Sequence, residues 1–200
     1  MSNDGENAIS LLQQVRKFLG EVALLLQTAD QALEVAGWAD MGSQSVTGSS
    51  ALGKSSEWLP YHVFRYYKNS DSPSIMPFVA VLLDYYDDDR DRGVKLLKVP
   101  LISCGWYDYG AAANEDGWIF YHSAIHIHNK GSLADGRWVK SEPQTLFPKW
   151  VRTSASVAYS RAIPLLSVKN AEDLQTKVID PLLDEMKGMT TAKRILKDSK

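Results

Sequence analysis

The sequence predicts an α+β fold, a single domain over residues 1–200 with a mostly antiparallel sheet of about five strands covered by a long N-terminal helix and C-terminal helices. Three observations lead there. Between Pro77 and Asn129, β-branched and aromatic residues crowd into Phe78–Tyr86, Val94–Tyr107 and Trp118–His128, with short polar breaks between them, as in strands joined by turns. Residues 8–36 carry apolar side chains at three- and four-residue steps, the period of an amphipathic helix. Asn170, followed by Ala171, Glu172 and Asp173, offers a cap and acidic residues at the positive end of a second helix.

In the first helix, Ala8, Leu11, Val15, Phe18, Val22, Leu25, Ala29, Ala32 and Ala36 share a face with Leu12, Leu19, Leu26 and Leu33, which recur every seven residues. A face this wide suits packing along the sheet. The seven-residue repeat also suits pairing with a second copy or a partner helix. Both hold if one stripe faces inward and the other outward. Gly37 is the expected stop.

Residues 40–57 are small and polar without period and read as a flexible Gly/Ser loop. The sheet is expected within 61–140, beginning with Tyr61–Lys68 behind Pro60, whose missing N–H costs least at a strand entrance. An apolar run, the charged stretch Asp84–Arg92, Gly93 and a second apolar run make a hairpin. Gly105 and Gly110 suggest a bulge or bend, Arg137–Lys140 a short edge strand, and residues 141–150 an irregular crossing. Val151–Val168 reads either way in its first half, while Pro164 makes the Ala162–Val168 run an edge strand. In the helical region 170–198, Leu174, Val178, Leu182 and Met186 share a face, Pro181 predicts a kink or two short helices, and the end is basic.

Composition narrows the function classes. Of 200 residues, 44% are hydrophobic and 23% charged, an ordinary globular balance, and the net charge of -2 argues against a protein devoted to nucleic acid. The single cysteine, Cys104, excludes an intramolecular disulfide and a cysteine-rich zinc site. The N-terminus is acidic where a signal peptide would be basic, and the apolar runs are too short to span a bilayer, so a soluble cytoplasmic protein without a membrane role is expected.

Two strings could carry chemistry. Gly48–Ser55 matches the phosphate-loop pattern with Lys54 at the lysine position, and the apolar run Val79–Leu83 ends in Asp84. Such a loop needs a buried strand before it and a helix after it, to aim backbone N–H groups at phosphate. Residues 39–47 do not read as a buried strand, and Pro60 limits any helix after Ser55. His122, His126 and His128 share one face of a strand, an arrangement a divalent metal can use, with His62, Asp84, Asp87, Asp88 or Asp89 to complete it. The competing reading is one solvated strand face. Cys104, mid-strand, reads as a core residue. No catalytic or cofactor-binding residue is assigned, and the only cofactor entertained is a divalent metal.

The expected function is therefore a non-catalytic binding or protein-interaction protein, self-associating or holding a protein partner through Leu12, Leu19, Leu26 and Leu33. The alternatives are a metal-dependent enzyme using the three histidines and nucleotide or phosphate binding at Gly48–Ser55.

Overall fold

The computed structural model describes residues 4–47, 60–83, 99–109, 135–141 and 157–188. Helix α1 (Asp4–Val35) leads into strands β1 (Ala39–Thr47), β2 (Pro60–Lys68), β3 (Ile75–Leu82), β4 (Leu101–Asp108), β5 (Val139–Ser141) and β6 (Val157–Pro164). A 3-10 turn at Leu165–Ser167 and a second helix, α2, over 171–188 follow. The strands form one sheet in the order β1-β2-β3-β4-β6-β5, every neighbouring pair antiparallel. The architecture is the expected α+β, with six strands among the described residues rather than about five.

α1 ends as Gly37 implied. Gly37 takes φ 86°, which a side chain would disfavour. Its N–H donates to the carbonyl of Glu34 at 2.9 Å, and the Trp38 N–H reaches back to Leu33 at 2.9 Å. These two bonds satisfy carbonyls that the helix end leaves open, and Trp38 is buried in the same core as Leu33.

The central strands are apolar on both sides because both sides are buried: every residue of β3, and all of β4 but Asp108, lies inside. Pro77 is tolerated in β3 because the β2–β3 ladder ends at the Tyr66–Phe78 pair, one residue before it. On one face Tyr67, Val79, Val81, Ile102, Cys104 and Trp106 meet Val22, Leu26, Ala29 and Leu33 of α1 and Leu174, Val178, Ile179, Leu182 and Met186 of α2. On the other face His62, Phe64, Tyr66, Phe78, Ala80, Ser103, Tyr107 and Ser160 are equally buried.

Four expectations need correction. The loop expected over 40–57 contains strand β1, paired to β2 from Ala39–Lys68 to Thr47–Pro60 with two register shifts. Its small polar residues carry no strand pattern, and the backbone bonds offered by β2 supply what propensity does not. Gly105 makes no bulge: the β3–β4 and β4–β6 registers run through it without a shift. A Cβ at Gly105 would sit 2.1 Å from the Tyr159 carbonyl oxygen and 2.9 Å from the Phe78 ring, so close approach is what glycine permits there. Residues 157–164 are strand, and Pro164 ends a strand that lies inside the sheet. β5 covers β6 only at Ala158, Tyr159 and Ser160, which leaves Pro164 beyond the doubly paired part. The fourth correction is to one of the two forms expected at Pro181: α2 is not divided there into two short helices. A π turn at Gln175–Ile179 precedes the proline, and the helix continues to residue 188.

That π turn also explains a spacing. Leu174, Val178, Leu182 and Met186 are four apart, and all are buried. In an uninterrupted α-helix each such step overshoots a turn by about 40°, so three steps would swing Met186 about 120° off the face. One extra residue in the π turn brings it back. The Asn170 cap forms as expected, its side chain accepting from the Asp173 N–H at 2.8 Å.

Candidate functional site

The seven-residue repeat of α1 divides along its length, not around its circumference. Leu26 and Leu33 are 1% and 0% exposed in the core, whereas Leu12 is 59% exposed and Leu19 half-buried. The seam is one continuous stripe. From Val22 onward the sheet and α2 occupy it, and toward the N-terminus it runs free of them.

Several contacts hold the C-terminal half in place. Tyr67 donates from its hydroxyl to Asp30 at 2.9 Å, and Arg65 reaches Asp30 at 3.3 Å and Asp40 at 3.6 Å. Burial raises the Asp30 carboxyl above its usual value, against the lowering effects of the Tyr67 hydrogen bond and the Arg65 charge. Burial likewise pushes the Tyr67 phenol upward, with the Asp30 charge adding to it. A neutral, donating phenol between helix and strand is what a fixed joint needs, so this Tyr–Asp–Arg cluster ties α1 to β1 and β2.

The free half presents Ile9, Leu11 and Leu12 at 59%, 62% and 59% exposure, with Val15 and Leu19 half-buried beside them and Phe18 already packed against the core. Within the repeat Leu12 and Leu19 share one seam position, Ala8 and Val15 the other, and Ile9 and Leu11 flank them. Ile9 was outside the predicted apolar face, and Leu11 was on it but outside the pairing set Leu12, Leu19, Leu26 and Leu33. Their signal was already present, because the positions beside a coiled-coil seam normally carry charges and here carry aliphatics. Farther along, Leu24, Leu25, Val168, Ala171 and Leu174 line a groove of about 280 Å³ between α1 and the start of α2.

Other locations offer less. Among the described residues, the lining of a cleft of about 410 Å³ near Gly37, Met41, Asn69, Pro73 and Met76 holds no acid, histidine or thiol. Cys104 is fully buried, and burial pushes its thiol up to about 12. The buried hydroxyls of Ser103 and Ser160 are 3.0 Å apart, and Ser103 also donates to the Arg161 carbonyl, so both are engaged inside the sheet. His62 is buried on β2 and stacks on Phe64 with ring centroids 5.7 Å apart.

His122, His126 and His128 lie outside the described residues, as do Asp84, Asp87, Asp88 and Asp89. Among the described residues, no group of three or more His, Cys, Asp or Glu is placed to hold a metal ion. The Gly48–Ser55 string with Lys54 also lies outside them. The strands that flank it, β1 and β2, are antiparallel neighbours, unlike the parallel strand–helix setting of a phosphate loop. Among the described residues, no helix is long and apolar enough to cross a membrane. No family model, curated protein or solved structure matches this chain.

Proposed function

We propose that this is a protein-interaction protein that docks an apolar helix of a protein partner on the free half of α1. One observation carries the reading: Ile9, Leu11 and Leu12 expose large aliphatic side chains within a single turn, on a stripe whose continuation forms the core. Contiguous apolar patches on soluble proteins mark binding surfaces more often than scattered exposed leucines do. A helix-in-groove or helix-pair mode suits such a stripe, with anchors three and four residues apart. The work belongs to the cytoplasm on this reading, where a lone thiol needs no disulfide partner.

A lipid surface fits the stripe less well. Interfacial helices are rich in Lys and Arg on the polar face, whereas here Glu6, Gln13, Gln14 and Glu21 stand with Arg16 and Lys17.

The test is a photo-crosslinking amino acid at position 12, compared with one at the exposed Gln27 on the same helix. A covalent protein adduct formed in cells from position 12 and not from position 27 supports docking on this stripe. Equal labelling from both positions, or none from position 12, defeats it.

A further inference from the structure

We infer a second site, separate from the stripe on α1: the helix-side face of β6 and β5 binds a single nucleotide, with its base on Tyr159 and its phosphate between Arg161 and Lys140. The helices lie mainly over β1 to β4, and β6 shows the effect. Ala158, Ser160 and Ala162 are buried on one face of the strand, whereas Val157, Tyr159, Arg161 and Ile163 on the other are half-buried. The β4–β6 register sets Trp106 opposite Tyr159 and Cys104 opposite Arg161, and Lys140 of β5 stands opposite Tyr159 from the other side. Cross-strand partners share a face, and Cys104 and Trp106 belong to the core under the helices, so this is the helix side.

Two features of the face point to a ligand. The first is a ring stack open at one end. Trp106 and Tyr159 stack with centroids 4.7 Å apart and planes 18° from parallel. Trp106 comes from β4, so the other face of the Tyr159 ring looks toward β5, and among the described residues no second ring covers it. A base placed there extends the stack. The second feature is a pair of cations without counter-ions. Arg161 lies over the Trp138 ring at 5.8 Å, which covers the flat side of the guanidinium and leaves the N–H groups at its edge to bond an anion. Among the described residues no carboxylate pairs with Arg161 or with the exposed Lys140. Asp135 pairs with Arg137, and Asp108 stands opposite Val157, on the side of Tyr159 away from Arg161.

Two cations suit a phosphate dianion better than a single carboxylate. Tyr159 and Arg161 are two residues apart on one strand, a step of about 7 Å. A ligand that meets both must hold its charge away from its ring, as a sugar does in a nucleotide. One open ring and two cations hold one nucleotide, whereas a nucleic-acid strand needs a run of both, and the net charge of -2 does not supply it.

The experiment is isothermal titration calorimetry of the full chain with each common 5′-ribonucleoside monophosphate, with the matching nucleoside, with inorganic phosphate and with a single-stranded oligoadenylate. At least one monophosphate is expected to bind at one site per chain. Its nucleoside and inorganic phosphate each bind at least about tenfold more weakly, because each keeps only part of the contacts. Tyr159→Leu and Lys140→Glu each weaken the monophosphate by about tenfold or more. Lys140 is exposed, so Lys140→Glu keeps the fold, which circular dichroism verifies, and the test stands even where Tyr159→Leu unfolds the sheet. Absence of saturable binding by every monophosphate overturns the site. So does binding that ignores Lys140→Glu. An oligoadenylate held by the same residues more than about a hundredfold tighter than AMP overturns the single-nucleotide reading in favour of a strand.

Discussion

Replacing Leu26 and Leu12 by alanine, one at a time, measures whether α1 is divided along its length. Leu26 is 1% exposed and sits among Val22, Ala29 and the sheet, so truncation opens a cavity in the core. Changes of this kind cost about 3–5 kcal/mol, because the lost transfer energy and the unfilled space add. Leu12 is 59% exposed and lies where α1 has left the sheet. Its truncation should change the stability of the monomer by no more than about 0.5 kcal/mol, with the better helix propensity of alanine offsetting part of any loss. Urea unfolding followed by circular dichroism at low concentration separates the two. With a slope of about 2 kcal/mol per molar, a loss of 3 kcal/mol moves the midpoint down by about 1.5 M, against a negligible shift for Leu12→Ala. A Leu12→Ala loss equal to that of Leu26→Ala, and independent of protein concentration, would refute the division. It would mean that the chain itself covers the stripe.

Two further outcomes follow from the sheet. Gly105→Ala sets a methyl group against the Tyr159 carbonyl oxygen and the Phe78 ring, at 2.1 Å and 2.9 Å before any relaxation. Strand separation and lost ladder bonds should cost about 3 kcal/mol or more in the same unfolding assay, and a loss below about 1 kcal/mol would contradict the close approach. Cys104, buried and with its thiol pushed up to about 12, should not react with a chromogenic disulfide reagent in the native protein at about pH 8. One thiol per chain should appear in denaturant. Prompt native labelling would show that α2 lifts readily from β4.

The sequence carried the parts of this fold that depend on local chemistry. Gly37 as the helix stop, Asn170 as a cap and the unbroken apolar run of β3 were legible because each residue type answers a local demand. β1 was not legible, since its small polar residues have no pattern and its order comes from the partner strand. Nor was the role of Gly105, which is decided by a carbonyl and a ring from two other strands. The candidate surface was half legible. The apolar period of α1 continues unchanged from Ala8 to Leu33, so nothing local marks Val22 as the point where the core takes over. That boundary is set by the length of the sheet. The flanking aliphatics Ile9 and Leu11 were the local hint that the free end is more than a frayed terminus.

The π turn at Gln175–Ile179 alters the meaning of length variation in α2. In an ordinary α-helix the loss of one internal residue rotates everything beyond it by about 100°. Here, deleting one residue within 175–179 would convert the turn to ordinary α geometry and leave everything beyond it in place, because the turn already holds one residue more than an α turn uses. Leu182 and Met186 would stay on the sheet, whereas a deletion at 183–185, beyond the turn, would swing Met186 about 100° off it. A one-residue gap in this turn is therefore the length change α2 can absorb with its core-facing pattern unaltered, while the same gap farther along would need a new pattern after it.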